Sequence, residues 1–315
     1  MQHEQGISSS VAAMEVRKFC DCHFHIWTLE THSWLSSLPD NHPVGDMSAL
    51  RETGYPLDKY LAEASSEGLS NLLTVHVQGL YDRGDDLDET RWLRGLAQAT
   101  GHPTAIVAYV DLSSPKAAER LQQHAEAAGG RLRGVRQSLR GPHPELPALH
   151  TGPHLFQEET FLQNVGLLAE WGGIFELQVR NSDWALAKAL AERHREVKFV
   201  INHCGMPFME EKNEWRQGMQ WMAGCPNVHM KLSGFAIFDN HWTLQSLSDV
   251  VQILLEEFGT DRCMFALDFP VDRLRGSYGE WMKTFWASVG SQSDYVKEKL
   301  FYGNAVRLYR LEHSE

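Results

Sequence analysis

Eight times along the chain a short apolar, β-branched segment is followed by other structure, most often a stretch with helical spacing, and this repeat limits the fold more than any other feature. The segments are VRKFCDCHFHI (16–26), NLLTVHVQ (71–78), PTAIVAYV (103–110) and RLRGVRQS (131–138), then GGIFELQV (172–179), VKFVINHC (197–204), NVHMKLSG (227–234) and RCMFALDF (262–269). Between them lie DKYLAEASSEG, PKAAERLQQHAEAAG, NSDWALAKALAERHR and SLSDVVQILLEEFG, with apolar residues at helical intervals. Near-continuous apolar strands alternating with amphipathic helices describe a parallel sheet covered on its outer face. Eight such units predict a (β/α)8 TIM barrel. An open doubly wound sheet is the second reading, but no G-x-G-x-x-G follows the first segment.

No linker, repeat boundary or charge run divides the chain, so residues 16–315 are expected to form one barrel. Residues 1–15 lack the basic and apolar regions of a signal peptide and read as a disordered leader. Five cysteines form an odd, sparse set that points to reduced thiols and a cytoplasmic location. A net charge of −12 argues against nucleic acid as a partner. No apolar run approaches the roughly 18 residues of a membrane span. Homo-oligomerisation is left open. Two long connections, 27–58 and 139–156, fall where βα loops cover the C-terminal face of a barrel, the face that carries active sites.

Chemistry gathers at the ends of the segments. In FCDCHFHIW (19–27), simple strand alternation puts Asp21, His23 and His25 on one face and Cys20, Cys22 and Phe24 on the other. That parity speaks against a Cys/His zinc cluster within the stretch, and C-x-C is not the redox spacing C-x-x-C. Two histidines at i and i+2 lie roughly 6–7 Å apart along a strand and can converge on one ion or one carbonyl oxygen. His203 ends the sixth segment and Asp268 the eighth, each before a Pro-containing loop; Arg136 and Lys231 sit near the ends of the fourth and seventh. In a closed barrel these ends ring one cavity, which favours an enzyme over a set of unrelated surface ion pairs and helix caps. Arg180 is a further cation, and Trp27 and Trp34 are candidates for the pocket wall or for rim packing. His143, His150 and His154, among prolines, read as loop residues, and Cys204 as a buried thiol.

CDCHFHIW resembles the D-x-H-x-H opening of the amidohydrolase superfamily, and INHCGMP, MKLSG, LDFPVD and YGNAVRLYRL are similar to its amidohydrolase 2 branch. The resemblance runs from about residue 17 to 311 and is greatest to the lactonases: sugar-acid lactonases, pyrone-dicarboxylate lactonase and sulfomuconolactone hydrolase. It implies that His23, His25 and His203 polarise a substrate carbonyl and that Asp268 takes a proton from the hydrolytic water. Arg136 would hold a substrate carboxylate, with Lys231 and Arg180 as weaker candidates and Trp27 beside the substrate. Two-metal members use a bridging lysine or glutamate on strand 4 and a histidine on strand 5. Here those strands offer Arg136, Gln137, Glu176 and Gln178. The resemblance therefore implies no cofactor, or one Zn²⁺ held by His23, His25 and Asp268, with His203 as a further ligand. The expected substrate is a small lactone or carboxylic acid. A zinc-dependent decarboxylase or hydratase of an aromatic or unsaturated acid is the first alternative; a barrel that only binds a ligand is the second.

Overall fold

Every one of the eight segments forms a strand in the computed structural model, which describes residues 18–38, 45–69, 71–139 and 152–311. The strands are β1 (Lys18–Phe24), β2 (Asn71–Val77), β3 (Ala105–Ala108), β4 (Leu132–Arg136), β5 (Ile174–Leu177), β6 (Lys198–Ile201), β7 (Val228–Leu232) and β8 (Cys263–Phe265). They pair in parallel in sequence order, with the helices packed outside, as a (β/α)8 barrel. Outward side chains such as Phe19, Phe175, Phe199, Met230 and Phe265 pack against the helix layer. Inward ones, including Val75, Val107, Val200, Met264 and Ala266, form a second apolar cluster inside the barrel. Tyr309 and Leu311 at the end of the chain's last helix, Asn304–Tyr309, join that inner cluster.

The ring closes where β1 meets the segment that follows β8. Phe24 and Phe269 form a parallel bridge, the His25 N–H donates to the Phe269 carbonyl at 2.7 Å, and the Asp268 N–H donates to the His23 carbonyl at 2.8 Å. Here the structure corrects the strand parity expected for FCDCHFHIW. Asp21 pairs with Thr74 but Phe24 pairs with His76, so three steps on β1 match two on β2. One extra residue in a strand flips every side chain after it to the other face. Cys20 and Cys22 therefore belong to the inner cluster. Asp21 instead accepts from Tyr60 of the helix Leu57–Ser65, at 2.8 Å, while His23 and His25 turn into the barrel mouth. All five cysteines are buried free thiols, so none enters a disulfide.

The described part of the 27–58 connection is pinned over the β1 and β2 ends. Trp27 and Tyr55 form an antiparallel bridge, and the Trp34 indole donates to the Leu80 carbonyl at 3.0 Å. The leader 1–15 and most of 139–156, with His143 and His150, lie outside the described residues. Among the described residues no helix is long and apolar enough to cross a membrane.

Candidate active site

Two of the residues at the C-terminal edge of the barrel sit on unusual backbone. His203, just after β6, has φ 54°, and Asp268, just after β8, has φ 53°. Left-handed geometry at non-glycine residues costs of order 1–3 kcal/mol and persists where the surroundings hold it, as they do at functional sites. The hold on His203 is visible. Its ring lies against Gly234, where an added Cβ would fall 2.5 Å from His203 Nδ1. Gly234 is kept there by Asp272, whose buried carboxylate accepts from the Gly234, Phe235 and Ala236 N–H groups at 3.0, 3.2 and 2.9 Å.

Asp268 is the hub. His23 Nε2 lies 3.5 Å and His25 Nε2 3.6 Å from its Oδ1, and His203 Nδ1 lies 3.6 Å from its Oδ2. Oδ2 is buried without a hydrogen-bond partner. His25 Nδ1 donates to the Val77 carbonyl at 2.8 Å, because a carbonyl can only accept, and this leaves the Nε2 lone pair facing Asp268. Trp27 stacks flat behind His25, with ring centroids 5.5 Å apart. Arg136, the last residue of β4, donates to the Gln78 carbonyl at 2.7 Å and reaches His23 Nε2 at 3.3 Å.

Burial sets the protonation states. It raises the Asp268 carboxyl above its ordinary range, against the pull of His203, Arg136 and Lys231. It pushes the His203 imidazole down to about 4, and His23 and His25 well below their usual value, with Lys231 and Arg136 adding to the effect. The three rings are therefore neutral near pH 7 and act as directional donors and acceptors.

The structure gathers His23, His25, His203, Asp268 and Arg136 into one cluster. Lys231 also reaches it, but from below: its ammonium is fully buried and bonded to both Glu176 oxygens at 2.7 and 2.8 Å, with His23 Nδ1 at 3.4 Å. That ion pair fills the role expected of a substrate carboxylate at Lys231. Arg180 is half-exposed and paired with Asp183 at 2.8 Å in the loop after β5. His154 is exposed, near Glu158, and Cys204 lies in the outer core. Reading by residue type missed the parts beneath and beside the site: Glu176 as partner of Lys231, Asn202 and Tyr309 as donors to Glu176, and Asp272 as anchor of the His203 seat. A glutamate inside apolar FELQV and a lysine inside apolar VHMKL were the available signal, since lone charges in buried strands need partners.

Ligand atoms of His23, His203 and Asp268 lie within 4.8 Å of one another, a spacing that could hold a metal ion. His23, His203 and Asp268 are the residues that would hold a single ion there. Both ring nitrogens of His23 already face cationic groups, Arg136 and Lys231. The carboxylates of Asp268 and Glu176 face those two cations, and Glu89 and Asp272 are further buried acids close by.

The amidohydrolase family model matches residues 20–311. The chain belongs to the amidohydrolase family. This amidohydrolase is 32% identical over 295 residues to the uncharacterized protein y4mH of Sinorhizobium fredii, covering 92% of this chain and 98% of that one. It is 28% identical over 240 residues to an L-fucono-1,5-lactonase of Burkholderia multivorans, covering 71% of this chain and 77% of the relative. Among solved structures, an amidohydrolase from Burkholderia multivorans with bound zinc is similar at a TM-score of 0.77 and 25% identity, over 94% of this chain and 100% of that one.

Proposed function

We propose that this amidohydrolase opens a small lactone, sugar-derived or bearing a carboxylate, with Asp268 as the base that activates water. The observation that carries this is the buried Asp268 carboxylate, whose Oδ2 has no partner and which is ringed by three neutral histidines. Similarity to a relative named as a lactonase supports the choice of a cyclic ester.

In this mechanism Asp268 accepts a proton as the water oxygen bonds to the lactone carbonyl carbon. The His25 Nε2 lone pair accepts from the water's other hydrogen and orients it, a role different from the carbonyl polarisation expected from sequence. Arg136 and a His23 N–H face the oxyanion that develops. The tetrahedral intermediate collapses by breaking its ring C–O bond, and the departing alkoxide takes the proton held by Asp268. A carboxylate on the substrate would pair with the Arg136 guanidinium, a local contact that the overall net charge of −12 does not forbid. A zinc ion at His23, His203 and Asp268 would polarise the same carbonyl, and no step of this mechanism requires it.

The test is metal analysis of the purified protein together with sugar, pyrone and muconate lactones assayed with and without chelator. Turnover of one lactone class that survives chelation is expected. Stoichiometric zinc together with CO₂ release from an aromatic acid would replace the lactonase reading with a decarboxylase.

A further inference from the structure

Lys231 spans the space between the catalytic edge and the barrel floor, and each of its three protons has an acceptor. Two go to Glu176 Oε1 and Oε2, at 2.7 and 2.8 Å, and the third points at His23 Nδ1, at 3.4 Å. Glu176 is fully buried and takes two more hydrogen bonds, from the Asn202 amide and from the Tyr309 hydroxyl. Tyr309 ends the chain's last helix and is itself fully buried, with the Lys231 ammonium 5.5 Å above its ring. A hydrogen-bonded line therefore runs Tyr309–Glu176–Lys231–His23, from the helix Asn304–Tyr309 to the site.

His23 cannot satisfy all its neighbours. Arg136 presents a donor to Nε2 at 3.3 Å and Lys231 presents one to Nδ1 at 3.4 Å. A neutral imidazole has one lone-pair nitrogen and accepts from only one of them. Arg136 has a second acceptor in the Gln78 carbonyl and in the proposed mechanism faces the substrate's oxygens. The third Lys231 proton has His23 alone, and an orphaned ammonium proton in a fully buried site is the more costly loss.

We propose that Tyr309, Glu176 and Lys231 are positioning residues that hold His23 as the Nε2–H tautomer, so that it donates toward Asp268 at rest and toward the lactone oxygen during reaction. The same arrangement frees one Arg136 N–H for substrate. This deepens the lactonase reading and rests on it for its kinetic consequence alone. The tautomer itself is a property of the protein without substrate.

Ring-¹⁵N histidine NMR of the full chain at neutral pH tests it, with the His23 signal assigned by its loss in His23→Gln. A protonated Nε2 and bare Nδ1 are expected in the wild type; a protonated Nδ1 overturns the proposal whether or not any lactone is turned over. Tyr309→Phe removes one hydroxyl and little volume. In that variant the His23 signals should move toward a mixture of tautomers, and kcat should fall about tenfold at unchanged KM, the scale of loss for an outer supporting hydrogen bond. A folded Tyr309→Phe with the wild-type ¹⁵N pattern overturns the part assigned to Tyr309. If that variant does not fold, the wild-type tautomer still decides.

Discussion

Asp268 must be ionised to take a proton from water, yet burial favours its protonated form. Because its carboxyl is raised, more of it is protonated at any mildly acidic pH, and activity is lost as pH falls through that raised value. The kcat/KM profile should show one acid limb displaced above the ordinary carboxylate value of about 4. The histidines contribute no limb near neutrality, since burial keeps them neutral. A limb at the unperturbed value would contradict this. Arg136→Lys keeps the charge but loses the planar fork. It should lower kcat/KM about tenfold or more for a carboxylate-bearing lactone and less for a neutral sugar lactone, which loses only the oxyanion contact; equal effects on both would remove the carboxylate role. The cluster itself was legible in the sequence, because histidine and aspartate at the ends of apolar strands have few structural reasons to be there. The Lys231–Glu176 pair was not, because β5 and β7 are not neighbours and only the closed barrel brings their inward side chains together.

At the scale of elements, β1 shows why strand parity misleads. The alternation in FCDCHFHIW is regular in sequence, but the bulge between Asp21 and Phe24 resets it. No residue type in the stretch marks the bulge. Its consequence is structural: Asp21 Oδ1 accepts from the Leu267 N–H at 3.1 Å and the His23 N–H at 3.2 Å, tying the strand that carries His23 and leads into His25 to the segment that carries Asp268. The loop after β7 is equally specific. Gly234 has φ 68° and no space for a Cβ beside His203. Gly234→Ala should displace the His203 ring and lower kcat by about 10²-fold or more, as a 1 Å misplacement can, with the thermal midpoint moved by only a few degrees; a wild-type rate would show that this seat does not matter.

At the scale of the whole molecule, the alternating pattern carried the fold. Eight strands in sequence order place residues 23, 136, 203, 231 and 268 around one mouth, although they span most of the chain. Tyr309 returns to the same axis from the other end and was invisible as a site residue, since a tyrosine near the chain's end has many ordinary uses. In the proposed mechanism Asp268 activates water by its own carboxylate. Steady-state turnover of the best lactone by chelator-treated wild type and folded Asp268→Asn tests it most directly. Full activity in the first and a loss of about 10²–10⁴-fold in the second are expected, the range for a general base; an Asp268→Asn enzyme working at the wild-type rate would contradict the mechanism.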